Sequence, residues 1–224
     1  MRIRWLGHAT FLLTGEANTV AIDPYGEFPK DRRIKFDYPS LEGIEADVVL
    51  VTHEHMDHNA VDVIGGDPEV LRAGAGTFDS RLGKVVGIAS EHDQKAGTQR
   101  GPNTIFCFEI DGVRYCHFGD FGQAGLRPEQ REAIGEVDVL FLPVGGGPTI
   151  DGSQAARLVA ELRPHVAIPM HYGTEAADFV EGPEKFLDAV SADIERLETS
   201  EVEPREYLNG DGTTVLVLQA PLAC

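Results

Sequence analysis

Short apolar runs broken by Gly, Pro, Asn and Asp dominate this chain, and few stretches carry the 3.6-residue spacing of an amphipathic helix. The runs predict strands at Arg2 to Trp5, Thr10 to Leu13, Thr19 to Ile22, Asp47 to Val51, Val70 to Ala73, Lys84 to Ala89, Val137 to Leu142 and Val166 to Pro169, with a closing pair near Glu206 and at Thr213 to Leu218. The Val-rich run at Asp47 to Val51 has no alternation and reads as a strand buried on both faces. Three helices are marked by their starts. Pro128 opens a short one, Asp151 or Ser153 caps Gln154 to Leu162, and Pro183 opens Glu184 to Leu197, with Phe186, Leu187, Val190, Ile194 and Leu197 on one face. Two runs of strands, each followed by helices, predict a sandwich of two sheets flanked by helices. Without repeats, low-complexity tracts or a linker, residues 1–224 read as one domain.

Asp111-Gly112 is a two-residue hairpin signal joining Thr104 to Ile110 with Val113 to Phe118. Counting outward, Ile110 faces Val113, Glu109 faces Arg114, and Cys107 faces Cys116 at a non-hydrogen-bonded position where Cα atoms approach closely. The two thiols are expected to be neighbours and reduced.

Candidate chemistry begins where the buried strand stops. Residues 52–58 read Thr-His-Glu-His-Met-Asp-His. Three imidazoles and a carboxylate in one turn can wrap a metal ion, since both groups suit Zn, Mn or Fe. Strand ends are where open α/β folds place sites, because a rigid sheet holds the loops. Three further candidates also follow strand-like segments: His92 in Ser-Glu-His-Asp, Asp120 in Phe-Gly-Asp-Phe-Gly, and His171 in Ile-Pro-Met-His-Tyr-Gly.

The order His-x-His-x-Asp-His, His, Gly-Asp, His resembles the metallo-β-lactamase superfamily over nearly the whole chain. The resemblance implies a four-layer αββα sandwich of two mixed β-sheets. It makes His53, His55 and His92 ligands of one divalent metal, Asp57, His58 and His171 ligands of a second, and Asp120 the bridge. Zinc is the first expectation, with manganese or iron as alternatives. The opening Trp-Leu-Gly-His-Ala-Thr-Phe, Ile-Asp-Pro at 22–24 and Ile-Pro-Met-His-Tyr-Gly resemble, more narrowly, the branch of ascorbate-6-phosphate lactonase and metal-dependent hydrolases.

The chain departs from the family pattern at Phe121, where a Thr usually follows the bridging Asp, so the support of Asp120 is open. Glu54, between two ligands, is expected to point outward. Asp23 is expected to accept a hydrogen bond from a ligating imidazole. His8, in the Gly7-His8-Ala9 turn, contacts substrate or merely completes the turn, and Tyr172 beside His171 is a further candidate for substrate contact or for orienting a ligand. His117, inside a strand, and His165, at a helix end, read as structural or solvated.

Composition narrows the function. No apolar stretch approaches a membrane span, and Met1 leads straight into a strand without an export segment. Three cysteines outside every ligand position fit a reducing compartment, so a cytoplasmic enzyme is expected. A net charge of −18 opposes nucleic-acid binding. The positives are nevertheless clustered at Lys30, Arg32, Arg33 and Lys35, with Lys95 and Arg100 just past His92; they either steer a small anion to the site or form a solvated face. Strand edges of such sandwiches can also pair between copies, which leaves a homo-oligomer open.

The ligand set implies catalysis by a water shared between two metals, whose pKa falls toward about 7 so that a hydroxide attacks a carbonyl or phosphoryl centre, with the second metal or Asp57 handling the leaving group and proton. The expected activity is hydrolysis of a small anionic ester, lactone or phosphodiester. An iron oxidoreductase on the same scaffold and a metal-dependent sensor are the alternatives. The intact His55 weighs against the former, since a Glu generally stands there in the electron-transferring branch.

Overall fold

The computed structural model describes residues 1–28 and 34–223. Along the chain run β1 (Arg2–Gly7), β2 (Thr10–Thr14), β3 (Thr19–Ile22), β4 (Val48–Val51), β5 (Glu69–Arg72), β6 (Gly76–Ser80), β7 (Gly83–Glu91), β8 (Pro102–Ile110) and β9 (Val113–His117). There follow α1 (Pro128–Ile134), β10 (Val139–Pro143), α2 (Gly152–Leu162), β11 (Val166–Met170), α3 (Glu184–Ala189), β12 (Asp193–Arg196), β13 (Glu201–Val202) and β14 (Thr214–Val217). The strands form two mixed sheets, ordered β13-β1-β2-β3-β4-β5 and β12-β14-β11-β10-β9-β8-β7-β6.

The alternation of side chains explains how the sheets stack. In β4, Val48 and Leu50 enter a core shared by both sheets, while Val49 and Val51 face a second apolar cluster with Tyr25, Tyr38, Leu41 and Ile64. Period-two placement on a strand with two buried faces thus gives the unbroken apolar run its meaning. Across the shared core, Phe11 of β2 lies 4.5 Å from Phe141 of β10, ring centroid to centroid. The helices join the second sheet's outer face, where Leu158, Val159 and Phe186 are buried in the same core. Tyr25, Tyr38, Leu41 and Ile64 form the outer layer on the first sheet, with a short 3-10 turn at Val61–Val63.

The hairpin forms in the expected register. Asp111 and Gly112 both adopt positive φ, 52° and 74°, as a type I′ turn requires, and Ile110 pairs with Val113, Glu109 with Arg114 and Cys107 with Cys116. Both thiols are free and buried, their sulfurs 3.1 Å apart, and burial pushes the Cys116 thiol up.

Two expectations are corrected, and one strand is added. The helix from Glu184 stops at Ala189, and residues 193–196, including Ile194, form an edge strand parallel to β14. Glu206 ends a 3-10 turn at Pro204–Glu206; the nearby strand is β13, paired with β1. β6, antiparallel to β7, was not anticipated from the pattern.

Strand direction decides where the site can lie. β1, β3 and β4 all run one way in the first sheet, since β2 is antiparallel to both β1 and β3, and β3 is parallel to β4. β7, β9, β10 and β11 likewise share one direction in the second. His8, Asp23, residues 52–58, His92, Asp120 and His171 each follow the C-terminal end of one of these strands.

Candidate metal centre

The carboxyl-end loops converge on one cluster of imidazoles and carboxylates. His53 Nε2 lies 3.1 Å from His55 Nδ1, His92 Nε2 lies 3.0 Å from Asp120 Oδ2, His171 Nε2 lies 3.2 Å from the same oxygen, and His58 Nε2 lies 3.4 Å from Asp120 Oδ1. Asp57 Oδ2 is further out, 3.9 Å from His58 Nε2. Two donors each about 2.1 Å from a shared ion sit roughly 3.0–3.4 Å apart at octahedral to tetrahedral angles, so the four shorter separations are the spacing of neighbouring ligands.

Tautomers follow from the hydrogen bonds around the cluster. Thr52 donates through its backbone N–H to Asp23 Oδ1 at 2.7 Å and through its hydroxyl to Asp23 Oδ2 at 2.7 Å. That hydroxyl can therefore only accept from His53 Nδ1, at 3.0 Å, while His58 Nδ1 donates to Asp23 Oδ2, also at 3.0 Å. One buried carboxylate, directly for His58 and through Thr52 for His53, thus keeps the outer nitrogens of two imidazoles as donors and turns both Nε2 atoms inward. His92 is fixed likewise, its Nδ1 donating to the Pro148 carbonyl at 3.1 Å.

Electrostatics in the cluster are strongly coupled. Burial penalises a charged Asp120, but His171 and His58 outweigh it and hold the carboxyl well below the usual range. Burial also opposes charge on His58, yet the carboxylates of Asp120, Asp57 and Asp23 prevail and raise its pKa well above 6.5. His53, where burial dominates and His58 adds repulsion, falls to about 3, and His8, buried beside His171, falls to about 4. Four buried atoms, His8 Nε2, His58 Nε2, His171 Nδ1 and Asp120 Oδ1, have no hydrogen-bond partner. Unpaired buried polar atoms each cost about 1–3 kcal/mol, and two of these, His58 Nε2 and Asp120 Oδ1, face one another at 3.4 Å, as ligands of an ion would.

Among the described residues, three of the seven non-glycine residues at positive φ lie in this cluster. His8, Asp23 and His171 adopt left-handed φ of 53°, 48° and 50°. Such conformations cost non-glycine residues free energy and collect at functional sites. Gly119, at φ 54°, has no room for a Cβ, which would collide with Thr52 and Asn103.

The departures noted in the sequence are accommodated. Phe121 is fully buried against Phe118, with a ring separation of 5.2 Å, and Asp120 is supported instead by its backbone N–H donating to Asn103 Oδ1 at 3.0 Å. Glu54 points outward to Arg72, 2.9 Å away, and to Asn59. Tyr172 packs on Trp5 in the core, ring centroids 5.4 Å apart. Lys95 and Arg100 lie on an exposed loop whose backbone N–H groups converge on the Asp93 carboxylate. Lys35 lines a cavity of about 830 Å³ with Tyr25, Phe28, Phe36 and Tyr38; Lys30, Arg32, Arg33 and Cys224 lie outside the described residues. His117 is buried, with Nε2 donating to the Ala9 carbonyl at 3.0 Å, and Nδ1 accepting from Gly119 N–H at 3.1 Å; His165 is half-buried beyond α2. Thr52 and Asn103 carried no recognisable signal, because their roles arise only when distant segments pair.

Residues 2–171 match the model of the β-lactamase superfamily domain. The chain belongs to the metallo-β-lactamase superfamily. It is 35% identical over 194 residues to a UPF0173 protein of Pyrococcus furiosus, covering 78% of this chain and 84% of that one. A UPF0173 metal-dependent hydrolase of Thermococcus kodakarensis is 29% identical over 240 residues, covering 93% and 99%. Among solved structures, a putative Zn-dependent hydrolase of the metallo-β-lactamase superfamily from Thermotoga maritima is 32% identical, with TM-score 0.76 over 97% of this chain and 99% of that one. The two mixed sheets with helices are the fold of this superfamily; the narrower likeness to the lactonase branch gains no support from these matches.

Proposed function

We propose that the protein is a metal-dependent hydrolase of a small anionic ester, lactone or phosphodiester, working in the cytoplasm with two divalent ions. The observation that carries this reading is the inward convergence of five imidazoles and Asp120 at ligand spacing, with orphaned buried atoms among them. His53, His55 and His92 would hold one ion and Asp57, His58 and His171 the other, with Asp120 available to both. Bound there, such ions supply an activated water and polarise an acyl or phosphoryl oxygen. The residues themselves supply the rest. Asp23 and Thr52 keep His53 and His58 in the ligating tautomer, Pro148 does so for His92, and Asp57, whose side chain is 25% exposed, reaches the solvent side of the cluster and takes up the proton released in the attack. The intact His55 favours hydrolysis over the oxidoreductase reading, and the relatives named as metal-dependent hydrolases point the same way.

Elemental analysis of untagged protein, with hydrolysis of lactone, thioester and phosphodiester substrates and an Asp120→Ala control, tests the proposal. Near two equivalents of zinc or manganese, and activity reduced to background in the variant, is the expected result. One equivalent of iron with oxygen uptake, or two metals without hydrolysis of any substrate, overturns it.

A further inference from the structure

His8 is the one imidazole of the cluster to which the ligand set above gives no task. Its position is nevertheless heavily constrained. The His8 carbonyl accepts from the indole N–H of Trp5 at 3.0 Å and from the backbone N–H of His171 at 3.2 Å, which pins the turn between the first sheet and the loop after β11. Its ring lies 4.1 Å from His171 and 5.2 Å from His58, centroid to centroid, and is covered from outside by Phe36 and Phe179 at 5.3 and 5.8 Å. The residue is 1% exposed, and its Nε2 has no hydrogen-bond partner.

A turn with φ 53° would by itself favour Gly or Asn, so the backbone does not explain a histidine here, and the polar group the ring meets at Nε2 is the carboxylate of Asp57, itself one of the second ion's expected ligands. The geometry does explain it. One ring nitrogen each of His8, His58 and His171 can be chosen so that all lie within 4.8 Å of one another. His8 Nε2 also stands 3.3 Å from Asp57 Oδ2, the same ligand-to-ligand spacing found around Asp120.

We propose that His8 Nε2 is a protein ligand of the second divalent ion, which is then held by His8, Asp57, His58, Asp120 and His171. The inference rests on the two-ion reading and deepens it. The second ion is enclosed by three imidazoles and two carboxylates, whereas the first, held by His53, His55, His92 and Asp120, keeps the half-exposed His55 on its open side. With one more protein ligand than the first, the second ion should stay bound when the first exchanges. An imidazole-rich shell of this kind selects Zn, Co, Ni or Fe over Mg or Ca.

The decisive measurement is nitrogen NMR on protein labelled with 15N-histidine and loaded with 113Cd as a spin-active replacement. The His8 Nε2 signal, assigned by its loss in His8→Gly and in His8→Asn, is expected to split through one-bond coupling to the metal. Both substitutions suit a positive φ, so the turn survives in each. In apo-protein titrations with Cd both variants are expected to bind one of two equivalents at least tenfold more weakly and the other unchanged. Two bound equivalents with an unsplit His8 signal, or unchanged affinities in both variants, overturn the assignment while leaving the two-ion reading intact; His8 would then serve only to orient Asp57. Fewer than two equivalents in the wild-type protein overturns the two-ion reading itself.

Discussion

Asp23 has more influence on the cluster than any residue outside the ligand set, because its two oxygens decide which nitrogens of His53 and His58 carry protons. Exchange of one oxygen for an amide changes little in volume, and Asn accepts the left-handed φ of 48° at this position. It does place an N–H against another donor, either the Thr52 N–H at the Oδ1 position or the Thr52 hydroxyl and His58 Nδ1–H at the Oδ2 position. Asp23→Asn should therefore fold normally and bind metal about 10- to 100-fold more weakly, as loss of an outer partner of a ligating His typically does. Zn titration of the metal-free variant checks this, and unchanged affinity would show that the tautomers are set elsewhere. The ligands were legible in the sequence because each stands just after a strand-like run and because the spacing within 52–58 is tight. Thr52, Asn103 and the Pro148 carbonyl were not. Asn103 meets Asp120 only once β8 pairs with β7 on one side and β9 on the other, a long-range fact with no local trace.

At the level of elements, the legible features were those with local causes. The Asp111-Gly112 turn fixes the β8–β9 register, and the all-apolar β4 announces two buried faces. The stretch after Pro183 shows the opposite. Phe186, Leu187, Val190, Ile194 and Leu197 have helical spacing, yet only Phe186 and Leu187 are buried on the helix, and Ile194 is 43% exposed on an edge strand. Pairing with β14 supplies backbone hydrogen bonds that outweigh weak helix propensity, and each partner lies 21 residues away. α2 is different, since its start is written in a reciprocal capping box: Gln154 N–H donates to Asp151 Oδ1 at 2.9 Å and Asp151 N–H donates to Gln154 Oε1 at 3.0 Å. Asp151→Ala should cost about 1 kcal/mol in a denaturant titration, and Asp151→Asn much less. Lys185, bonded to Asp151 Oδ2 at 2.8 Å, is the main cause that lowers the Asp151 pKa below 3.8. Both side chains are substantially exposed, so that contact adds little. The charged carboxylate's contribution is therefore present above pH 3.8 and lost as pH falls through the lowered native value; the gap between wild type and Asp151→Asn should close there. A gap that persists below that range would mean that the charge is irrelevant.

For the molecule as a whole, the cluster joins the carboxyl ends of two sheets, so metal binding is expected to act as a clamp on global stability. An ion that binds only the native state adds about 2.7 kcal/mol when present at 100 times its dissociation constant. The sign of the pH dependence follows from His58 and His92. Burial opposes charge on both, but the carboxylates around His58, and Asp120 beside His92, raise their pKa values above 6.5 in the metal-free protein. Because each is raised, its contribution to metal-free stability is complete below pH 6.5 and is lost as pH climbs through the native value. Ligation needs the neutral imidazole, so the ion must displace these protons, whereas His53, already lowered to about 3, releases none in the neutral range. Metal affinity should accordingly rise with pH, and the difference in melting temperature between zinc-loaded and chelator-treated protein should widen from pH 6 to pH 8. Calorimetric titration in two buffers of unequal ionisation enthalpy should report net proton release on binding. A difference that stays constant or narrows with pH would place the protons on groups other than His58 and His92, and would contradict the inward-facing Nε2 geometry on which the two-ion reading depends.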